Sequence, residues 1–89
     1  MDTLFKELQE IVVKKSVELR EWEAKDPGAI DCPILECEIN DAEYMMLHIN
    51  SDAKHDHKVS AIVSIYKQTT SNSIYEAVQR FAEREGVKL

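Results

Sequence analysis

Glycine and proline are scarce in this 89-residue chain, with two of each. Gly28 and Gly86 stand far apart, so no glycine-rich loop exists to cradle a phosphate, which excludes P-loop and dinucleotide-binding chemistry. Two prolines leave no polyproline segment or proline-rich linker. Cysteine is limited to Cys32 and Cys37, too few for a disulfide scaffold. The longest apolar runs, Ile11-Val12-Val13 and Tyr44-Met45-Met46-Leu47, fall well short of the roughly 18 residues that read as a membrane span. Met1-Asp2-Thr3-Leu4 has neither the basic start nor the apolar stretch of a signal peptide. Free thiols without an export signal point to the cytoplasm.

Positive charge is missing from the middle of the chain. From Asp26 to Asp56 there are eight acids and one base, Lys54. The flanking segments nearly balance, so this stretch carries almost all of the net charge of −6. A field concentrated on one part of a small protein steers oppositely charged partners and repels phosphate backbones.

What is present reads as one globular domain, residues 1–89, with 44% hydrophobic and 31% charged residues. Leu4, Leu8, Ile11, Val12, Leu19 and Trp22 recur at helical spacing. They predict a first helix capped by Asp2 or Thr3 and stopped by Asp26-Pro27-Gly28. Lys15 falls inside this apolar stripe, as a stem with its ammonium in water. Val13, Val17 and Ala24 form a smaller ridge on the other side, suited to contact with another chain.

Residues 33–40 alternate, with Leu35, Cys37 and Ile39 on one side and Ile34, Glu36 and Glu38 on the other, which predicts a half-buried strand. Asn40-Asp41-Ala42-Glu43 reads as a turn. Residues 44–50 then return with Met45, Leu47 and Ile49 inward and Tyr44, Met46 and His48 outward. A polar loop, residues 51–57, leads to a third strand over residues 58–67, with Val59, Ala61, Val63 and Ile65 inward and Ile62 and Tyr66 outward. Ser73 and Glu76 match a capping box, opening a last helix with Ile74, Ala77, Val78 and Phe81 buried and Gly86 as its left-handed end. The expectation is an α+β fold of order αβββα, a three-stranded antiparallel meander with both helices on one face.

The open sheet face of that fold would display Glu36, Glu38, Tyr44, Met46, His48, Ile62 and Tyr66, with Asp41 and Glu43 at the first hairpin. Tyr and Met are anchor types at interfaces, and the acids supply steering. Paired carboxylates at Glu36 and Glu38 also suit general acid–base work, but an exposed charged pair on an edge strand commonly blocks aggregation. Cys37 would point to the core, and Cys32, in a loop before Pro33 and open to solvent, would have no oxyanion loop beside it, so no enzyme is expected. His55, His57 and Asp52 are candidate metal ligands, although neither His-x-His nor Cys-x₄-Cys has structural-zinc spacing. No cofactor is expected.

The αβββα order resembles the double-stranded-RNA-binding domain, a family that binds phosphate through lysines at the start of its last helix. The matching stretch here, Thr70 to Glu76, holds one acid and no base, so direct nucleic-acid binding is not expected. In size, acidity and element order the chain is similar in general character to phage-encoded inhibitors such as some anti-CRISPR proteins. That resemblance implies an acidic hairpin, Glu36, Glu38, Asp41 and Glu43, imitating nucleic acid against a basic host protein such as a CRISPR effector. The leading expectation is broader: a small acidic regulatory or inhibitory module acting by protein–protein contact, as a homodimer or with a basic partner, and away from membranes.

Overall fold

The first helix forms where its apolar stripe places it. In the computed structural model, which describes residues 1–89, α1 runs from Asp2 to Lys25. It ends as expected at Asp26, whose side-chain oxygen accepts the Gly28 N–H at 3.2 Å in the turn that follows. The expected side-chain cap is absent: Met1 holds the cap position without a side-chain bond.

Beyond α1 the expected α+β fold is overturned. The remaining elements are α2 (Asp31–Ile49), α3 (His55–Gln68) and α4 (Asn72–Glu85), so the chain is 80% helical and contains no strand. The segments 33–40 and 44–50, read as two strands of a meander, are halves of one helix, and 58–67 lies within α3. No sheet face exists, and the element order shared with the RNA-binding family disappears with it.

The physical reason is visible in α2. Its buried residues are Cys32, Leu35, Ala42, Met45 and Ile49, at the three-, four- and seven-residue spacings of one helical face. Met45 and Ile49 point inward in either reading, because four residues is close to a whole number of periods for strand and helix alike. Leu47 decides between them. A strand would send it inward with its neighbours; it is 66% exposed. The expected turn at Asn40-Asp41-Ala42-Glu43 contains neither glycine nor proline, and the helix runs through it with Ala42 fully buried. Pro33 is tolerated because it lies in the first turn of α2, where backbone N–H groups lack intrahelical acceptors.

In α3 the strand assignment is inverted. Ile62 and Tyr66, expected on an outer face, are core residues, and Ala61, Val63 and Ile65 are only half-buried. Helix α4 buries Ile74, Ala77, Val78 and Phe81 as expected and ends at Gly86 with φ 67°. That left-handed conformation is open to glycine without a Cβ penalty. Its start moves forward from the expected cap at Ser73: Ser71 is the cap, and its Oγ accepts the Ile74 N–H at 3.4 Å.

The four helices pack in a ring, α1 against α2 and α4, and α3 against α2 and α4. At 1.5 Å per residue, α1 and α2 are roughly 36 and 29 Å long, and α3 and α4 only about 21 Å. The short pair therefore covers one end of an antiparallel α1–α2 hairpin. The main core takes Leu4 and Leu8 from the start of α1 and Ala42, Met45 and Ile49 from the end of α2. From α3 and α4 come Ile62, Tyr66, Ile74, Ala77, Val78 and Phe81. Each large side chain buried there contributes about 1.5–3 kcal/mol of transfer free energy. The rest of the hairpin projects, giving overall dimensions of 42 × 23 × 18 Å. Along the projection only Cys32 and Leu35 are buried, and α1 buries nothing after Leu8. No helix is long and apolar enough to cross a membrane.

Candidate functional site

Helix α2 has two apolar faces. Leu35, Ala42 and Ile49, seven residues apart, form the buried row. Two residues away, about 200° round the helix, runs a second set at the same period. Ile30, Cys37 and Tyr44 make one row; Pro33, Asn40 and Leu47, apolar but for Asn40, make the row beside it. All six are exposed to solvent: Ile30 by 75%, Tyr44 by 56%, and Cys37 likewise open. Ile34, 49% exposed, broadens the stripe at its start. The seven-residue period means the stripe drifts only slowly round the helix, which is the condition for packing along a second helix. From Ile30 to Leu47 it extends roughly 26 Å.

The acids divide sharply between this seam and the interior. Glu36 and Glu43, seven residues apart, are exposed along the edge of the seam. Glu38 faces the other way, its side chain only 13% exposed. It accepts the Ser71 hydroxyl at 2.7 Å and lies 3.6 Å from the Lys15 ammonium. Asp41 accepts the Thr69 hydroxyl at 2.8 Å, and Thr69 Oγ1 in turn accepts the Ser71 N–H at 3.2 Å. Lys15, expected to reach water from the apolar stripe, is instead paired with Glu38 and with Glu18 at 3.8 Å. This cluster ties α1, α2 and the α3–α4 connection together. It belongs to the scaffold, since every hydroxyl in it already has a partner.

Of the residues proposed from sequence for an open sheet face, Glu36, Glu43 and Tyr44 remain exposed together, now on one helix. His48 is half-buried, with its ring edge-on to Tyr44 at 4.8 Å. Met46 packs partly against the core. Ile62 and Tyr66 are inside it, and Tyr66 stacks on Tyr75 at 4.3 Å. Glu36 and Glu38 diverge on a helix, so the paired carboxylates of a strand are gone. Sequence reasoning missed Ile30, Ile34, Cys37 and Leu47, although a count by sevens from Ile30 would have found Cys37 and led on to Tyr44.

The cysteines exchange their expected places, with Cys37 outside and Cys32 buried; both are free. Burial pushes the Cys32 thiol up, and the surrounding charges of Glu23, Glu36, Asp26 and Asp31 push it further. The metal candidates do not converge. His55 and His57 are exposed at the start of α3, with Asp52 in the loop before it, and no group of three or more ligating side chains forms anywhere. On α1, Val13 and Val17 are exposed as a pair, but Lys6, Glu10 and Arg20 surround them on that side and no continuous stripe results.

No family model, curated protein or solved structure matches this chain. The functional reading rests on the geometry of α2.

Proposed function

We propose that this protein is a small non-enzymatic interaction module that works by protein–protein contact through the outer face of α2. One observation carries the reading: an apolar seam about 26 Å long lies open on a helix whose opposite face is core. Isolated surface hydrophobes are ordinary, but a largely apolar stripe with a polar edge, broken here at Asn40, is the mark of a contact surface. Tyr44 and Leu47 supply the large side chains that anchor interfaces. The projecting hairpin presents the first part of the seam clear of α3 and α4. Imitation of a nucleic acid by four clustered acids fits less well, since Glu38 and Asp41 are engaged in internal hydrogen bonds.

The test is affinity capture from the source cells with two variants beside the wild type. Ile30→Ser with Tyr44→Ser and Leu47→Ser should lose a partner that the wild type retains, while keeping its helical circular dichroism. Val13→Ser with Val17→Ser, on α1, should retain it. A partner held equally by both variants places the contact elsewhere and defeats the reading.

A further inference from the structure

The seam's flanks say what kind of surface would lie on it. Resting on the interaction reading above, we infer that α2 receives a cationic amphipathic helix laid along Ile30, Ile34, Cys37, Tyr44 and Leu47. With Ile30, Cys37 and Tyr44 as the first row and Pro33, Asn40 and Leu47, apolar but for Asn40, as the second, Glu36 and Glu43 occupy the flanking positions that form ion pairs between packed helices. The other flank is Ile34, Asp41 and His48. No lysine or arginine occurs in α2, nor anywhere from Asp26 to Ala53. The nearest bases in sequence, Lys25 and Lys54, lie outside the helix at its two ends.

This absence selects the occupant. If two copies of α2 packed antiparallel through the seam, like flanks would meet, Glu36 and Glu43 against their own counterparts. In a parallel pair, Glu36 would approach the flank that holds Asp41, whose carboxylate is already bonded to Thr69 and offers no cation. Either arrangement brings like charges together with no base to relieve them, which is destabilising and disfavours the wrong partner. A helix with apolar residues at the same period and lysine or arginine beside them reverses the sign of every one of those contacts. Such a helix also packs side by side on a preformed helical face, as the helices of a coiled coil do.

The probe is a labelled three-heptad peptide with leucine in both apolar rows and lysine on both flanks, read by fluorescence anisotropy against the full-length protein. The lysine peptide should bind at micromolar concentration, weaken with added salt, and bind far better than the same peptide with glutamate flanks. Tyr44→Ser with Leu47→Ser should lower affinity about tenfold or more. Glu36→Lys with Glu43→Lys should do the same and should gain binding of the glutamate peptide. Glu10→Lys with Glu21→Lys makes the same change of net charge on α1 and should leave binding near wild type. Equal losses in that control would mean only diffuse attraction to an acidic protein, and the proposal would fall. Sedimentation of the protein alone is the second arm. A dimer that Tyr44→Ser with Leu47→Ser dissociates would make a second copy the occupant, which also overturns it. If the seam variants lose a cellular partner while the lysine peptide binds all forms alike, the contact surface stands and the cationic helix does not.

Discussion

Ser71 does more than its place in a polar connection suggests. Its Oγ accepts a backbone N–H at the start of α4 and donates to the Glu38 carboxylate, and the residue is buried. Replacing it with alanine removes a cap, which costs about 1 kcal/mol. It also leaves a largely buried carboxylate with one donor fewer, about 1–3 kcal/mol. Ser71→Ala should therefore lower unfolding free energy by roughly 2–4 kcal/mol in urea denaturation. Ser73→Ala, at the cap expected from the Ser-x-x-Glu motif, should change it by less than about 0.5 kcal/mol. The motif was legible in the sequence, but the choice between two serines was not, because it depends on Glu38 arriving from a distant helix. The two thiols separate in the same way. Cys37 should react rapidly with a disulfide reagent near pH 8, and Cys32 only slowly, its thiol being buried and held above its ordinary range by desolvation and then by nearby carboxylates. The sign of the linkage follows. A pKa raised on folding means that the native state holds its proton more tightly, so stability is intact below the ordinary value of 9.0 and falls as pH rises past it. Cys32→Ala should flatten that alkaline limb in pH-dependent melts.

At the scale of elements, two helices were legible and two were not, and the difference lies in what surrounds each apolar face. Helix α1 has one dominant stripe, and α4 has Ile74, Ala77, Val78 and Phe81 against a polar remainder. Their period is unmistakable. In α2 the inner row Leu35, Ala42 and Ile49 shares the helix with the outer set Ile34, Cys37, Tyr44 and Leu47. Apolar residues on both sides produce short alternations that imitate strands. The surface we assign to partner contact is thus the feature that disguised the helix, as expected where function breaks local consistency. In α3 the disguise comes from half-buried residues, Ala61, Val63 and Ile65, which alternate around the true core positions. A glycine substitution separates the two folds directly. In a turn, Ala42→Gly would be neutral; in the middle of α2 it should cost about 0.5–1 kcal/mol from helix propensity alone, and further for the lost methyl in a fully buried site. Thermal melts followed by far-ultraviolet circular dichroism measure both the loss and a helical content near 80%, well above what two helices on a meander would give.

Across the whole molecule, stability is unevenly spread along the hairpin. One end is held by eleven core residues from all four helices, and the other by α1 packing on α2 with Cys32 and Leu35 buried between. The cluster around Glu38 sits at the junction, where Lys15 on α1 and Ser71 before α4 meet the same carboxylate oxygen. Local opening free energy follows buried contact density, so amides of α1 after Val13 and of α2 before Glu38 should exchange before those of α4. Removing Glu38 tests whether the junction couples the two halves. Glu38→Ala deletes the acceptor for Ser71 and leaves the Lys15 ammonium, only 17% exposed, with the more exposed Glu18 at 3.8 Å as its one remaining partner, a largely buried charge short of compensation and so destabilising. Exchange measured by mass spectrometry should then quicken along both helices of the projection and at the α3–α4 connection, while the Leu4, Met45 and Phe81 region stays protected. Lys15→Met in the same background should restore part of the loss by removing the poorly compensated charge while keeping its apolar stem. Quickened exchange confined to the Ser71 connection would mean instead that the carboxylate serves only the α4 cap, and that packing of α1 on α2 holds the projection unaided.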